Sequence, residues 1–149
     1  MIKVTSDCDP FLSAPSIKYI KLIVKNIFIS KKIKDADLSY IFCNDNFLLE
    51  LKKKFFKKNY FTDVIAFRLN NYQESKVEGE IYISLPRAKE NAILYKEPYE
   101  KEVARLIIHG CLHLLGYLDE TKNQKKKMTN LENDFLNKML WPNLFKNGG

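Results

Sequence analysis

The chain contains two histidines, His109 and His113, four residues apart. On an α-helix, side chains at i and i+4 leave from one face, so both imidazoles can reach a single Zn²⁺ at roughly 2.0–2.1 Å. The same pair recurs in zinc hydrolases of unrelated folds, because one helical turn fixes two ligands. Three residues on, Gly116 suits the left-handed conformation that ends a helix. The chain can then turn back and bring Asp119 to the open side of the pair. His109, His113 and Asp119 form a two-histidine, one-carboxylate site, and three protein ligands on a tetrahedral ion leave one position for water, the pattern of a catalytic site. Spacing by itself is met equally well by two half-buried helix histidines and an aspartate capping a loop. The Gly-turn-Asp continuation favours the metal.

A zincin metalloprotease also has two histidines at this spacing, but it uses a Glu directly after the first as general base. Here that position is Gly110, which makes peptide hydrolysis the poorer alternative. Cys111 stands two positions from each histidine, roughly 200° round the helix, and is expected to point into the core as a buried thiol.

The elements that must position this site follow from periodicity. Met1–Val4 suits a short strand, and Ser16 an N-cap for an amphipathic helix to about Ser30, with Ile17, Ile20, Val24, Ile27 and Phe28 on one stripe. Leu38–Cys43 suits a strand; Asn44 or Asp45 caps a helix carrying Phe47, Leu48, Leu51 and Phe55, whose lysine-rich end complements the helix dipole. Two further strand-like runs, Thr62–Leu69 and Glu78–Leu85, are expected to pair. Helices are expected at about Arg87–Leu94, Tyr99–Leu115 and Thr121–Leu140, with Pro98 starting the middle one and Gly116 stopping it. The whole is an α+β domain over residues 1–149, a small mixed sheet of about four strands packed against about five helices. Its metal site lies on a helix of the C-terminal half, and residues 147–149 are expected to be a loose tail.

A chain of 149 residues can bury a core without disulfides or a structural metal, and 46% hydrophobic and 13% aromatic residues exclude a disordered segment. No apolar run approaches the roughly 20 residues that span a bilayer, and the N-terminus has no signal-peptide pattern, so a cytoplasmic location is expected. Cys8, Cys43 and Cys111 are scattered and expected to stay reduced. A net charge of +7 suits a nucleic-acid partner. However, Arg68, Arg87 and Arg105 are the only arginines among 25 basic residues, and with abundant Asn, Ile and Phe this resembles mutational composition bias, so charge adds only modest weight.

The run H-G-C-L-H-L-L-G-Y-L-D from His109 to Asp119 resembles the H-G-x-L-H-L-x-G-Y-D-H signature of the YbeY family of rRNA maturation factors. Tyr60–Phe67, with Thr62-Asp63-Val64, is similar to that family's P-T-D-V-L-S-F strand, and Gly79–Ser84 to its G-D-I-x-I strand. The resemblance implies an α+β metalloprotein holding one Zn²⁺ per chain. It would cut single-stranded RNA in maturation of the small-subunit rRNA 3′ end and in ribosome quality control, with rRNA and the small ribosomal subunit as partners. His109 and His113 match the first two ligands, while the third, usually His, is Asp119 here. A carboxylate there lowers the charge of the site by one unit, which makes the metal a weaker Lewis acid and favours slower action or a higher working pH.

A functionally important Arg of the family, six residues before the Thr, is replaced by Phe56, which cannot clamp a phosphate. Lys57 or Lys58 in the adjacent turn is the candidate phosphate contact, Lys58 foremost, although lysine offers a point charge in place of a bidentate fork; a solvated turn lysine explains it equally well. Thr62, Asp63, Glu80 and Ser84 are open both to substrate hydrogen bonds and to purely local ones. The loss of the Arg at Phe56 keeps a second reading alive, a ribosome-assembly factor whose metal is mainly structural.

Overall fold

The computed structural model describes residues 1–146, so the tail expected at 147–149 lies outside the described residues. Leu38, Tyr40 and Phe42 alternate along one strand and Val77, Ile81 and Ile83 along another, and all six are buried. They mark the inner face of a four-stranded sheet. Its strands are β1 (Ile2–Cys8), β2 (Ala36–Cys43), β3 (Val64–Arg68) and β4 (Val77–Ser84), in the order β1-β2-β4-β3. β1, β2 and β4 run parallel, and β3 closes one edge antiparallel to β4, with Ala66 opposite Ile81. The expected pairing of the third and fourth strands is therefore present.

Five helices pack around this sheet: α1 (Ile17–Ser30), α2 (Asp45–Phe56), α3 (Leu85–Tyr95), α4 (Tyr99–Leu114) and α5 (Lys122–Leu136), with a short 3₁₀ turn at Trp141–Asn143. α1 and α4 cover the inner face in one continuous core that takes in Ile20, Ile27, Phe28, Ile107, Ile108 and Leu112. α4 lies very close to β4: a Cβ added at Gly110 would fall 2.5 Å from Ile81 Cγ2, and one at Gly79 2.6 Å from Leu114 Cδ1. The two glycines let helix and strand touch, which fixes the height at which the histidines stand above the sheet. On the outer face α2 covers a smaller cluster of Cys43, Leu48 and Ile65, with Leu51, Phe67 and Tyr82 against it.

Several boundaries differ from the sequence expectation, β2 among them, which starts at Ala36 two residues early. β1 continues past Val4 to Cys8 because each residue pairs in register with β2, down to Cys8 opposite Phe42. β3 starts at Val64, two residues late. α5 stops at Leu136, not Leu140: the chain turns away and folds back to bury Leu144, whose carbonyl accepts from the Ser16 N–H at 2.6 Å. Among the described residues no helix is long and apolar enough to cross a membrane.

Candidate metal centre

The end of α4 builds the site. Its last turn closes with the Gly116 N–H donating to the His113 carbonyl at 3.0 Å and the Tyr117 N–H to the Leu112 carbonyl at 3.1 Å. This is the Schellman arrangement, and it requires the left-handed φ of +97° that Gly116 adopts. The Arg68 guanidinium adds a further cap, donating to the Leu114 carbonyl at 2.7 Å. The turn also orients a ligand, because His113 Nδ1–H donates to the Tyr117 carbonyl at 2.8 Å. Two residues later the same turn delivers Asp119.

His109 Nε2 and His113 Nε2 stand 2.9 Å apart. Asp119 Oδ2 lies 3.3 Å from the first and 3.5 Å from the second. These spacings approach the roughly 3.3 Å between ligand atoms of a tetrahedral site with bonds near 2.05 Å. The ring partners settle which nitrogens face inward as acceptors. A carbonyl can only accept, so His113 Nδ1 carries hydrogen. On the far side of the other ring, His109 Nδ1–H donates to Glu132 Oε2 at 2.6 Å. When both rings are neutral, two Nε2 lone pairs and a carboxylate oxygen converge on one point, an arrangement that calls for positive charge at its centre. The donor set fits a divalent ion of the zinc type, and Cys111 is not part of it. That thiol is fully buried, as its helical angle implies, and desolvation raises its pKa.

Proton affinities of the three groups reflect the same demand. Burial works against a charged His109, but hydrogen bonds to Asp119 and Glu132 outweigh it and raise its pKa to about 9. Burial and the neighbouring His109 lower the pKa of His113. The hydrogen bond with His109 holds Asp119 at about 2.

Behind His109 runs a charge network that sequence reasoning missed. Glu132, on α5, is only 2% exposed and Glu102, on α4, 3%. Arg105 lies between them, donating from Nη1 to Glu132 Oε1 at 3.1 Å and from Nε to Glu102 Oε1 at 2.8 Å. Asn91 Nδ2 donates onward to Glu102 Oε2 at 3.1 Å and to Asp63 Oδ2 at 3.0 Å. A carboxylate on the outer nitrogen of a ligating histidine fixes its tautomer and raises its basicity. The signal was present in the sequence: Met128, Glu132 and Leu136 recur at i, i+4 and i+8 and all three are buried, which puts an acid on the apolar face of a polar helix.

Asp63 belongs to this network through its side chain. Ser84 instead caps α3, accepting from the Arg87 N–H at 3.2 Å and donating its hydroxyl to Asp45 Oδ1 at 2.8 Å. The Glu80 carboxylate meets Tyr82 on the outer face of the sheet. Lys58 stands in the turn after α2 with its ammonium 6.0 Å from the centre of the Tyr60 ring, apart from the His-His-Asp group. Phe56 stacks on Phe67 at 5.9 Å.

Fold and site together define a small α+β protein with a two-histidine, one-aspartate group that could hold a cation at the end of a helix. Residues 10–140 match the family model described as Endoribonuclease YbeY. The chain is 37% identical over 113 residues to Endoribonuclease YbeY of Flavobacterium psychrophilum, covering 76% of this chain and 79% of that one. It is 39% identical over 100 residues to Endoribonuclease YbeY of Karelsulcia muelleri, covering 67% and 70%. The solution structure of TM1509 from Thermotoga maritima superposes with a TM-score of 0.59 at 26% identity, over 91% of this chain and 87% of that one. The chain belongs to the endoribonuclease YbeY family.

Proposed function

We propose that this protein is a zinc-dependent endoribonuclease specific for single-stranded RNA, acting in small-subunit rRNA 3′-end maturation and ribosome quality control. The carrying observation is the convergence of His109 Nε2, His113 Nε2 and Asp119 Oδ2 on one point at a partly exposed helix end. Structural zinc sites are closed by four protein ligands, whereas three ligands beside solvent leave room for substrate. Bound there, Zn²⁺ supplies Lewis acidity towards a phosphodiester oxygen and lowers the pKa of water. Glu132 holds the His109 ring in the tautomer that presents Nε2, and the Tyr117 carbonyl does the same for His113. Asp119 contributes a negative charge where relatives carrying His would contribute none, which supports a higher working pH.

Two observations weigh on the rival readings. Position 110 faces Ile81 at a distance that admits no side chain, so the general-base Glu of a zincin has no place here, against the protease reading. Phe56 packs on an aromatic ring and clamps no phosphate, which favours the assembly-factor reading. Cleavage separates it from the nuclease. Wild-type protein is expected to cut single-stranded RNA in preference to duplex, and His113→Ala to abolish cutting while circular dichroism stays unchanged. Full cleavage by folded His113→Ala protein would refute the metal-dependent mechanism.

A further inference from the structure

The outer side of α2 and the turn that follows carry an unusual surface. Phe55, Phe56, Tyr60 and Phe61 are 55%, 42%, 52% and 48% exposed. Large rings half open to water in one short segment mark an interaction surface more often than chance. The rings are interleaved with charge: five lysines lie between positions 52 and 58, and no acidic residue occurs between Glu50 and Asp63. Lys52 Nζ sits 5.1 Å from the centre of the Phe56 ring and 5.2 Å from that of Tyr60. Lys58 Nζ lies 6.0 Å from the centre of the Tyr60 ring.

Phe55 and Phe56 each lean on Phe67, with ring centres 5.3 and 5.9 Å away, so part of their area serves the small outer core. Tyr60 has no such excuse. Its ring meets two lysine ammonium groups and lies outside both apolar clusters. A second copy of the same surface would be repelled by its lysines, and a duplex would hide the faces of its bases. A polyanion with free aromatic faces satisfies both halves of the pattern, because bases stack on the rings while phosphates take the ammonium groups.

We propose that the outer face of α2 and the 57–61 turn form a stacking track for single-stranded RNA, with Tyr60 and Phe56 as base platforms and Lys52 and Lys58 as phosphate contacts. This rests on the single-stranded-RNA reading and deepens it. Phe61 stands two residues before Asp63, whose carboxylate accepts from Asn91 in the Glu102–Arg105–Glu132 network that backs His109. Stacking takes the place of the phosphate clamp that Phe56 cannot provide.

The test is binding of the full-length protein to short 2′-O-methyl oligonucleotides, followed by fluorescence anisotropy across a salt series and checked to be uncleaved afterwards. Tyr60→Ala is expected to weaken binding of an intact strand about ten-fold, with the salt slope unchanged and with no effect on an abasic strand of equal length. Tyr60→Trp should restore it. Lys52→Gln should lower the slope of log affinity against log salt by about 0.7. Because Phe56→Ala also touches Phe67, it is read only beside a matching thermal transition. Equal binding of abasic and intact strands, equal binding of duplex, or wild-type affinity in Tyr60→Ala overturns the track. So does a surface that leaves RNA binding untouched but is needed for capture of a ribosomal protein. Stacking-type binding by a wild-type protein that cuts no RNA would end the endoribonuclease reading and leave the track standing.

Discussion

The two faces of the sheet carry the same lysine-rich composition to opposite ends. Behind His109, on the α4 side, the polar groups are few, largely buried and each assigned a partner: His109 to Glu132, Glu132 to Arg105, Arg105 to Glu102. On the α2 side they are many, exposed and interchangeable, with a minor core of Cys43, Leu48 and Ile65 beneath. A site that must hold one small ion at fixed distances needs unique partners in a medium of low dielectric, where losing one is costly. A surface that follows a flexible polyanion needs only density of charge and rings. The first kind is broken by single substitutions; the second is worn down gradually.

Arg105→Ala should have the largest effect on stability. It strands two buried carboxylates, Glu102 and Glu132, and removing one member of a buried ion network costs about 3–5 kcal/mol, measurable by urea denaturation. A loss near zero would mean the carboxylates relax to solvent and the network is not a fixed support. Next comes Glu132→Gln, which keeps the shape but removes the charge behind His109. Metal affinity should fall about 10- to 100-fold, as read by competition with a chromophoric chelator, with a stability loss smaller than that of Arg105→Ala because Arg105 keeps Glu102. Unchanged affinity would make Glu132 a packing residue only. Smallest is a change on the α2 side: Asn44 caps that helix by accepting from the Phe47 N–H at 2.8 Å, so Asn44→Ala should cost about 1 kcal/mol and leave metal content unchanged. Loss of metal in that variant would show that the two faces are coupled.

The site's core was legible because it is local. His109, His113, Gly116 and Asp119 lie in one helix end and one turn, so spacing and turn chemistry suffice to bring them together. The same holds for Asn44 and Pro98, which stand at the helix starts expected of them. What escaped was non-local. Glu132 is 23 residues from His109 along the chain and reads as one more acid on a polar helix until α5 is docked. β1 extends through Ser6 and Asp7, poor strand formers, because β2 offers it a partner. α5 ends early because Leu144 is drawn into a core that α1 and α4 build. Lys58 was singled out for its charge in the turn beside Phe56, and the structure sets its ammonium 6.0 Å from the centre of the Tyr60 ring.

The most direct test of the metal centre is X-ray absorption spectroscopy at the zinc edge on protein purified with its metal. A first shell of nitrogen and oxygen near 2.0–2.1 Å, with the multiple scattering of two imidazoles and no sulfur, is the expected result, and one imidazole should vanish in His113→Ala. A sulfur shell near 2.3 Å, or a spectrum of hydrated zinc unchanged by that substitution, would contradict a centre built from His109, His113 and Asp119.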